Sequence, residues 1–282
     1  MLLPLILLLL VSGNGLAARE PEQRIVTLGS TISEIAAALG AADQIVAVDE
    51  STSYPESLAG KPRLGYYRAI SAEGVLSFRP TLVLASKETG PPPIVAQLRQ
   101  SGLRYVPIAI DHSEAGTLAA IRAIAHEIGR EEQGEALAEK VAREVADARS
   151  SIPAGSAPRV AFIYARGGGV VNVSGTGTAA AAMIALAGGA NVVSQFEGYR
   201  ALTPESLVAA QPELILMTTA GVASLGGVEK VREIPAVALT PAGRSGRIVA
   251  IDDQLLLGFG PRLGEAVSLL AKGIHSQPGT GE

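Results

Sequence analysis

Cysteine and tryptophan are both absent from the 282 residues, and phenylalanine occurs only four times and histidine three. Without cysteine there is no disulfide and no thiolate metal site. His112, His126 and His275 are scattered, with no i, i+4 pair flanking a glutamate, so the helical zinc motif is excluded. Charge is also sparse. Only 18% of residues are Asp, Glu, Lys or Arg, and the net charge of −4 argues against nucleic acid, whose binding needs a basic face that displaces counterions. No G-x-S-x-G elbow occurs, because Gly243-Arg244-Ser245-Gly246 breaks the spacing. No paired acid and base stand out either, which argues against an enzyme.

What is present is an ordinary globular composition, 48% hydrophobic, in a chain long enough for two modest domains. Residues 1–18 carry no charge; an apolar run at 2–11 leads into Gly15-Leu16-Ala17-Ala18. The run is short for a bilayer span, so the expectation is a secretory signal cleaved near Ala17 or Ala18, with an uncleaved membrane anchor as the alternative. The missing cysteine removes the attachment point of a lipid-anchored export. A soluble protein of an oxidising periplasm fits these features.

The dominant internal feature is a repeat. Residues 65–80, GYYRAISAEGVLSFRP, return altered at 198–212 as GYRALTPESLVAAQP, so that Tyr67-Arg68-Ala69, Glu73 and Pro80 match Tyr199-Arg200-Ala201, Glu205 and Pro212 at a constant offset of 132. Each copy runs into an apolar segment, TLVLA at 81–85 and ELILM at 213–217, of the kind that forms a buried parallel strand. Strand-like and helix-like segments alternate on both sides, the α/β signature. Strands are expected at 24–28, 45–48, 82–84, 105–110, 159–164 and 248–251. Helices are expected at 32–39, capped by Ser30 or Thr31, at 94–100, at 179–186 and at 263–274.

Between the copies, residues 113–151 turn helical, with a break near Gly129. Leu137, Val141, Val145, Ala148 and Ile152 form one apolar stripe, and Glu139 and Arg143 sit at i, i+4 on another face. About 20 residues of helix span roughly 30 Å. The expectation is therefore two similar α/β lobes, 22–129 and 157–275, with central mostly parallel sheets joined by a single long α-helix at 130–152. A disordered tail follows at 276–282.

Three features could carry chemistry. Gly175 and Gly177 precede a helix whose free N–H groups could hold an anion, or they serve a tight turn. Glu73 and Glu205 occupy equivalent places near helix starts. They are either first-turn carboxylates stabilised by the helix dipole or a symmetric pair suited to docking on a two-fold membrane partner. The first copy also has Tyr66 where the offset places Gly198 in the second. In an extended segment Arg68 would share a face with Tyr66. A cation there favours the phenolate over the phenol, whose ordinary pKa is about 10. Phenolate is a hard ligand for ferric iron, and tyrosine serves as an axial haem ligand, although a tyrosine before a helix can equally be packing.

Several motifs carry a resemblance. Gly65-Tyr66-Tyr67-Arg68 followed by Ser71-Ala72-Glu73-Gly74 and Pro80 is one, and the turn Ser174-Gly175-Thr176-Gly177-Thr178 is another. Gly188-Gly189-Ala190-Asn191, Gly198-Tyr199 and Gly258-Phe259-Gly260-Pro261-Arg262 complete the set. Over residues 24–274 the chain resembles the periplasmic haem-binding proteins of bacterial haem ABC importers, within a wider group that includes cobalamin- and ferric-siderophore-binding proteins. The resemblance implies two α/β lobes on one long helix, ferric haem as transported ligand, and an ABC permease dimer with its ATPase as partner to a monomeric carrier. It makes Tyr66 the axial ligand, with Tyr67 as rival, and Arg68 its hydrogen-bonding partner. Glu73 and Glu205 become the lobe-tip carboxylates that meet the permease. Arg166 would meet a propionate or solvent, and Tyr199 and Arg200 are weaker haem contacts. Some relatives have a histidine near 164–167 for a second stacked haem; this chain has Tyr164-Ala165-Arg166-Gly167. A siderophore or cobalamin carrier of the same fold is the alternative, cobalamin being disfavoured by the lack of aromatic residues, and a periplasmic enzyme or sensor module is a more distant one.

Overall fold

The computed structural model describes residues 23–155, 157–166 and 171–276. The expected signal segment and residues 277–282 of the expected tail lie outside them. The first sheet is built from β1 (Ile25–Leu28), β2 (Ile45–Val48), β3 (Leu82–Ser86) and β4 (Arg104–Ile108), in the order β2-β1-β3-β4 with every pair parallel. The two central strands, IVTL and LVLAS, are buried almost throughout. Continuous apolar runs suit this position, because helices cover both faces of a parallel sheet.

The second sheet contains β5 (Arg159–Ala165), β6 (Val171–Ser174), β7 (Ala190–Asn191), β8 (Tyr199–Ala201), β9 (Leu214–Thr218) and β10 (Ile248–Ile251). Its order is β10-β9-β5-β6-β8, with β7 paired to β5. The pairs β10–β9, β9–β5 and β5–β7 are parallel, whereas β5–β6 and β6–β8 are antiparallel. This lobe is thus parallel at its centre with an antiparallel extension. β3 and β9 begin and end at positions 132 apart, as the repeat requires.

The chain passes from one sheet to the other through the helix Glu114–Glu127 and the linking helix Glu131–Ser150. Gly134, Ala138, Val141, Val145 and Ala148 are buried along it. The buried stripe also includes Ala138, with the expected Leu137 and Ile152 partly buried against the same core, because the linking helix is covered on two sides. The helix Glu114–Glu127 lies on one, and the closing helix Leu263–His275, which returns from the second lobe, lies on the other. One core cluster therefore runs from Ile25 through Val141 and Val145 to Ile274, coupling both lobes to the strut.

The first helix, Ser30–Ala36, corrects one expectation. Its N-cap is Gly29 at φ 118, and neither Ser30 nor Thr31 caps it. Thr31 Oγ1 instead donates to the Gly258 carbonyl at 2.6 Å, so the hydroxyl is spent on a bond to the other lobe. A wider turn, Ala37–Ala41, with Gly40 at φ 83, then closes the helix.

Candidate functional site

The two copies of the repeat present their Tyr-Arg-Ala segments differently. In the first lobe Tyr67–Ala69 forms a single 3-10 turn with Tyr66 extended just before it. In the second, Tyr199–Ala201 is the edge strand β8. The turn replaces the extended segment expected from the sequence, but the long arginine side chain still reaches. Arg68 Nη1 donates to the Tyr66 hydroxyl at 3.0 Å. Gly65 and Gly198 share φ 79, so the same left-handed entry is followed by one extra residue, Tyr66, in the first lobe.

Around this pair the first lobe supplies two further groups, Tyr67 and Glu88. Tyr67 packs edge-on to Tyr66 at 4.8 Å between ring centroids, and the Arg68 guanidinium lies 5.0 Å from the Tyr67 ring. Burial, then the neighbouring Tyr66, pushes the Tyr67 phenol up to about 12 against an opposing pull from Arg68. Tyr67 is half-buried, whereas Tyr66 is exposed and therefore accessible to a ligand. Glu88, which sequence reasoning passed over, forms an ion pair with Arg68 Nη2. Twenty residues separate the two, and the turn after β3, bonded to the tyrosine segment through Gly90, brings them together.

The second lobe contributes an aromatic wall. Tyr164, at the end of β5, lies 5.6 Å from the Tyr199 ring and 6.4 Å from Phe162, and Arg166 stands 5.4 Å over Tyr164. Partial burial raises the Tyr164 pKa, with Arg166 opposing; Asp253 and Tyr66 add to the rise and Arg68 opposes it. Tyr164, in the second lobe, therefore sits within electrostatic reach of the Tyr66–Arg68 pair of the first. Tyr164 was missing from the expected site because in the sequence it is simply the last apolar residue of a strand. Arg200 lies 4.6 Å over the Phe196 ring.

Polar contacts tie the two lobes together. Gln254 Oε1 accepts from the Ser53 and Tyr54 backbone N–H groups at 3.0 and 3.1 Å and from Ser53 Oγ at 2.9 Å. Its Nε2 donates to Glu34 Oε2 at 2.7 Å. Arg262 then clamps both Glu34 oxygens, at 2.9 and 3.2 Å, and lies 3.7 Å over the Tyr54 ring.

The other expected residues are placed as follows. Glu73 and Glu205 are exposed in the first turns of the helices Ala72–Ser77 and Pro204–Ala210. Ser71 and Thr203, again 132 apart, cap those helices through bonds from Gly74 N at 3.0 Å and Ser206 N at 3.3 Å. At the glycine turn, Gly175 N donates to the Gly198 carbonyl and Thr176 N to that of Phe196. Those N–H groups are occupied, and a Cβ at Gly175 would stand 2.1 Å from the Phe196 oxygen. The turn is tight for a structural reason.

A family model described as periplasmic binding protein matches residues 25–255, which include both sheets. The chain belongs to the periplasmic binding protein family. Within the family, it is similar to the periplasmic heme-binding protein RhuT from Roseiflexus sp. RS-1, at 41% identity and a TM-score of 0.87 over 90% of this chain and 98% of that one. It also resembles the periplasmic heme-binding protein BhuT, solved with two hemes, at 38% identity and a TM-score of 0.86 over 89% and 97% of the two chains. The vitamin B12-binding protein of Vibrio cholerae is 27% identical over 221 residues, 77% of this chain and 78% of that protein. These relatives are binding proteins. Among the described residues no helix is long and apolar enough to cross a membrane.

Proposed function

We propose that this periplasmic binding protein captures ferric haem in the cleft between its lobes and delivers it to an inner-membrane ABC permease. The observation that carries the reading is the 3.0 Å bond from Arg68 to the exposed Tyr66 hydroxyl, on a fold shared with heme-binding proteins at 41% and 38% identity. Tyr66 supplies one oxygen to the iron and releases its proton to solvent on ligation. Arg68 donates to that oxygen and compensates the phenolate charge. Tyr67, Tyr164 and Tyr199 offer apolar ring surface to the macrocycle, and Arg166 and Arg200 flank it as cations for the propionates. One oxygen ligand in an open cleft permits handover more readily than two strong ligands would.

Delivery rests on the lobe tips. Glu73 and Glu205 are exposed, symmetric by the repeat, and carried on capped helices. Arginines of a two-fold permease would grip both, and spreading the lobes would free the cargo. The carrier works as a soluble periplasmic monomer.

Cobalamin is the second reading, favoured by the 27% identity to a vitamin B12-binding protein. Absence of tryptophan and the scarcity of phenylalanine oppose it. The test is an absorbance titration of the chain from Arg19 with ferric haem, cyanocobalamin and a ferric siderophore in parallel. A saturable shift of the haem spectrum, with no saturable response to the other two, is expected. Saturation by cobalamin or the siderophore without a haem shift would overturn the proposal.

A further inference from the structure

The difference between the two lobes extends beyond Tyr66. Glu88 follows β3, and at the offset of 132 the second lobe has Ala220 in its place. Correspondingly, Arg68 is shared between a phenol and a carboxylate, while its counterpart Arg200 lies over Phe196. The Tyr-Arg pair is thus common to both lobes, but the Tyr66 and Glu88 that bracket Arg68 belong to the first alone.

Glu88 is held in place by its own turn. Its N–H donates to Ser86 Oγ at 3.2 Å, and the preceding Lys87 N–H donates to the Ile108 carbonyl at 3.1 Å on β4. The same turn is tied to the tyrosine segment by two backbone bonds, Gly90 N to Tyr67 O and Ile70 N to Gly90 O, both 3.1 Å. The backbone of the Glu88 turn and the Tyr66–Ile70 segment therefore form one unit, and the carboxylate also accepts from the Tyr67 hydroxyl at 3.4 Å.

A guanidinium is a rigid planar fork, so fixing one arm fixes the direction of the other. With Nη2 on Glu88, Nη1 points at the Tyr66 oxygen. Without that anchor, a flexible arginine at the mouth of the cleft would turn toward the most exposed anion it could reach, and on a haem that is a propionate. We propose that Glu88 is a positioning residue which holds Arg68 on the iron-binding tyrosine and keeps it off the cargo's carboxylates. It touches neither iron nor macrocycle; it acts through Arg68. The proposal rests on the ferric-haem reading above.

The test uses the phenolate-to-iron charge-transfer band of the haem-loaded chain, whose energy falls when the phenolate loses a hydrogen-bond donor. Arg68→Ala should move the band to longer wavelength. Glu88→Gln should move it in the same direction, Glu88→Asp should restore part of the shift, and Glu88→Gln in the Arg68→Ala background should add nothing. Since Glu88 is exposed, the thermal midpoint of the apo-protein should stay unchanged, separating positioning from a structural role. A Glu88→Gln band identical to the parent's, or a shift that persists in full when Arg68 is absent, would overturn the inference while leaving haem capture standing. A parent chain with no charge-transfer band at all would overturn both.

Discussion

Glu34 has a side chain only 5% exposed, with both oxygens on the Arg262 guanidinium and one also on Gln254. A carboxylate this deep persists because its partners replace the water it has lost. Arg262→Ala would strand it, and urea denaturation should show a loss of about 3 kcal/mol or more, the range for removing one member of a buried pair. Gln254→Leu should be destabilising by about 1–3 kcal/mol, because the Ser53 and Tyr54 groups it satisfies would be left without their partner. None of this network was legible in the sequence. Glu34 lies 228 residues from Arg262 and 220 from Gln254, and each reads alone as an unremarkable helical or loop residue. The Tyr66–Arg68 contact was legible, because two residues of local geometry suffice to bring a long cation to a phenol. Glu88 was not, since it lies 20 residues from Arg68 and reaches it only through the turn that follows β3.

Among the elements, the linking helix carries the clearest consequence of close packing. An added Cβ at Gly134 would stand 2.3 Å from the Ala125 Cβ on the preceding helix, and one at Gly264 would stand 2.4 Å from the Glu144 Cβ where the closing helix crosses. Alanine normally favours a helix over glycine by up to about 1 kcal/mol. Here Gly134→Ala and Gly264→Ala should each be destabilising instead, by about 1–3 kcal/mol in thermal or urea unfolding, as overpacking forces the helices apart. The apolar periodicity at 137–152 revealed a helix and its length. It did not reveal that a helix from each side would cover it, since the small residues that admit those neighbours, Gly134 and Ala138, look polar-face neutral in a hydropathy pattern. The same limit applies to β6 and β8. Both are short, and only antiparallel pairing, of β6 with the end of β5 and of β8 with β6, makes them strands.

For the molecule as a whole, the repeat was the most informative sequence feature. It anticipated two lobes and the matched strands β3 and β9, and the structure adds the matched caps Ser71 and Thr203. The proposed role of Glu73 and Glu205 follows from that symmetry and yields a separable prediction. Glu73→Arg with Glu205→Arg should leave ferric haem binding within about twofold of the parent, because exposed charges at the lobe tips interact weakly with the cleft through water. Vesicles carrying the cognate permease and ATPase should meanwhile lose uptake of haem from the variant. Equal uptake from variant and parent would remove the docking role without touching capture. The most direct test of the central claim is the absorbance spectrum of the ferric haem complex in the parent, Tyr66→Ala and Tyr67→Ala. The account predicts a phenolate-to-iron charge-transfer band that survives in Tyr67→Ala and vanishes in Tyr66→Ala. A band that survives in Tyr66→Ala and vanishes in Tyr67→Ala, or one that is indifferent to both, would contradict it.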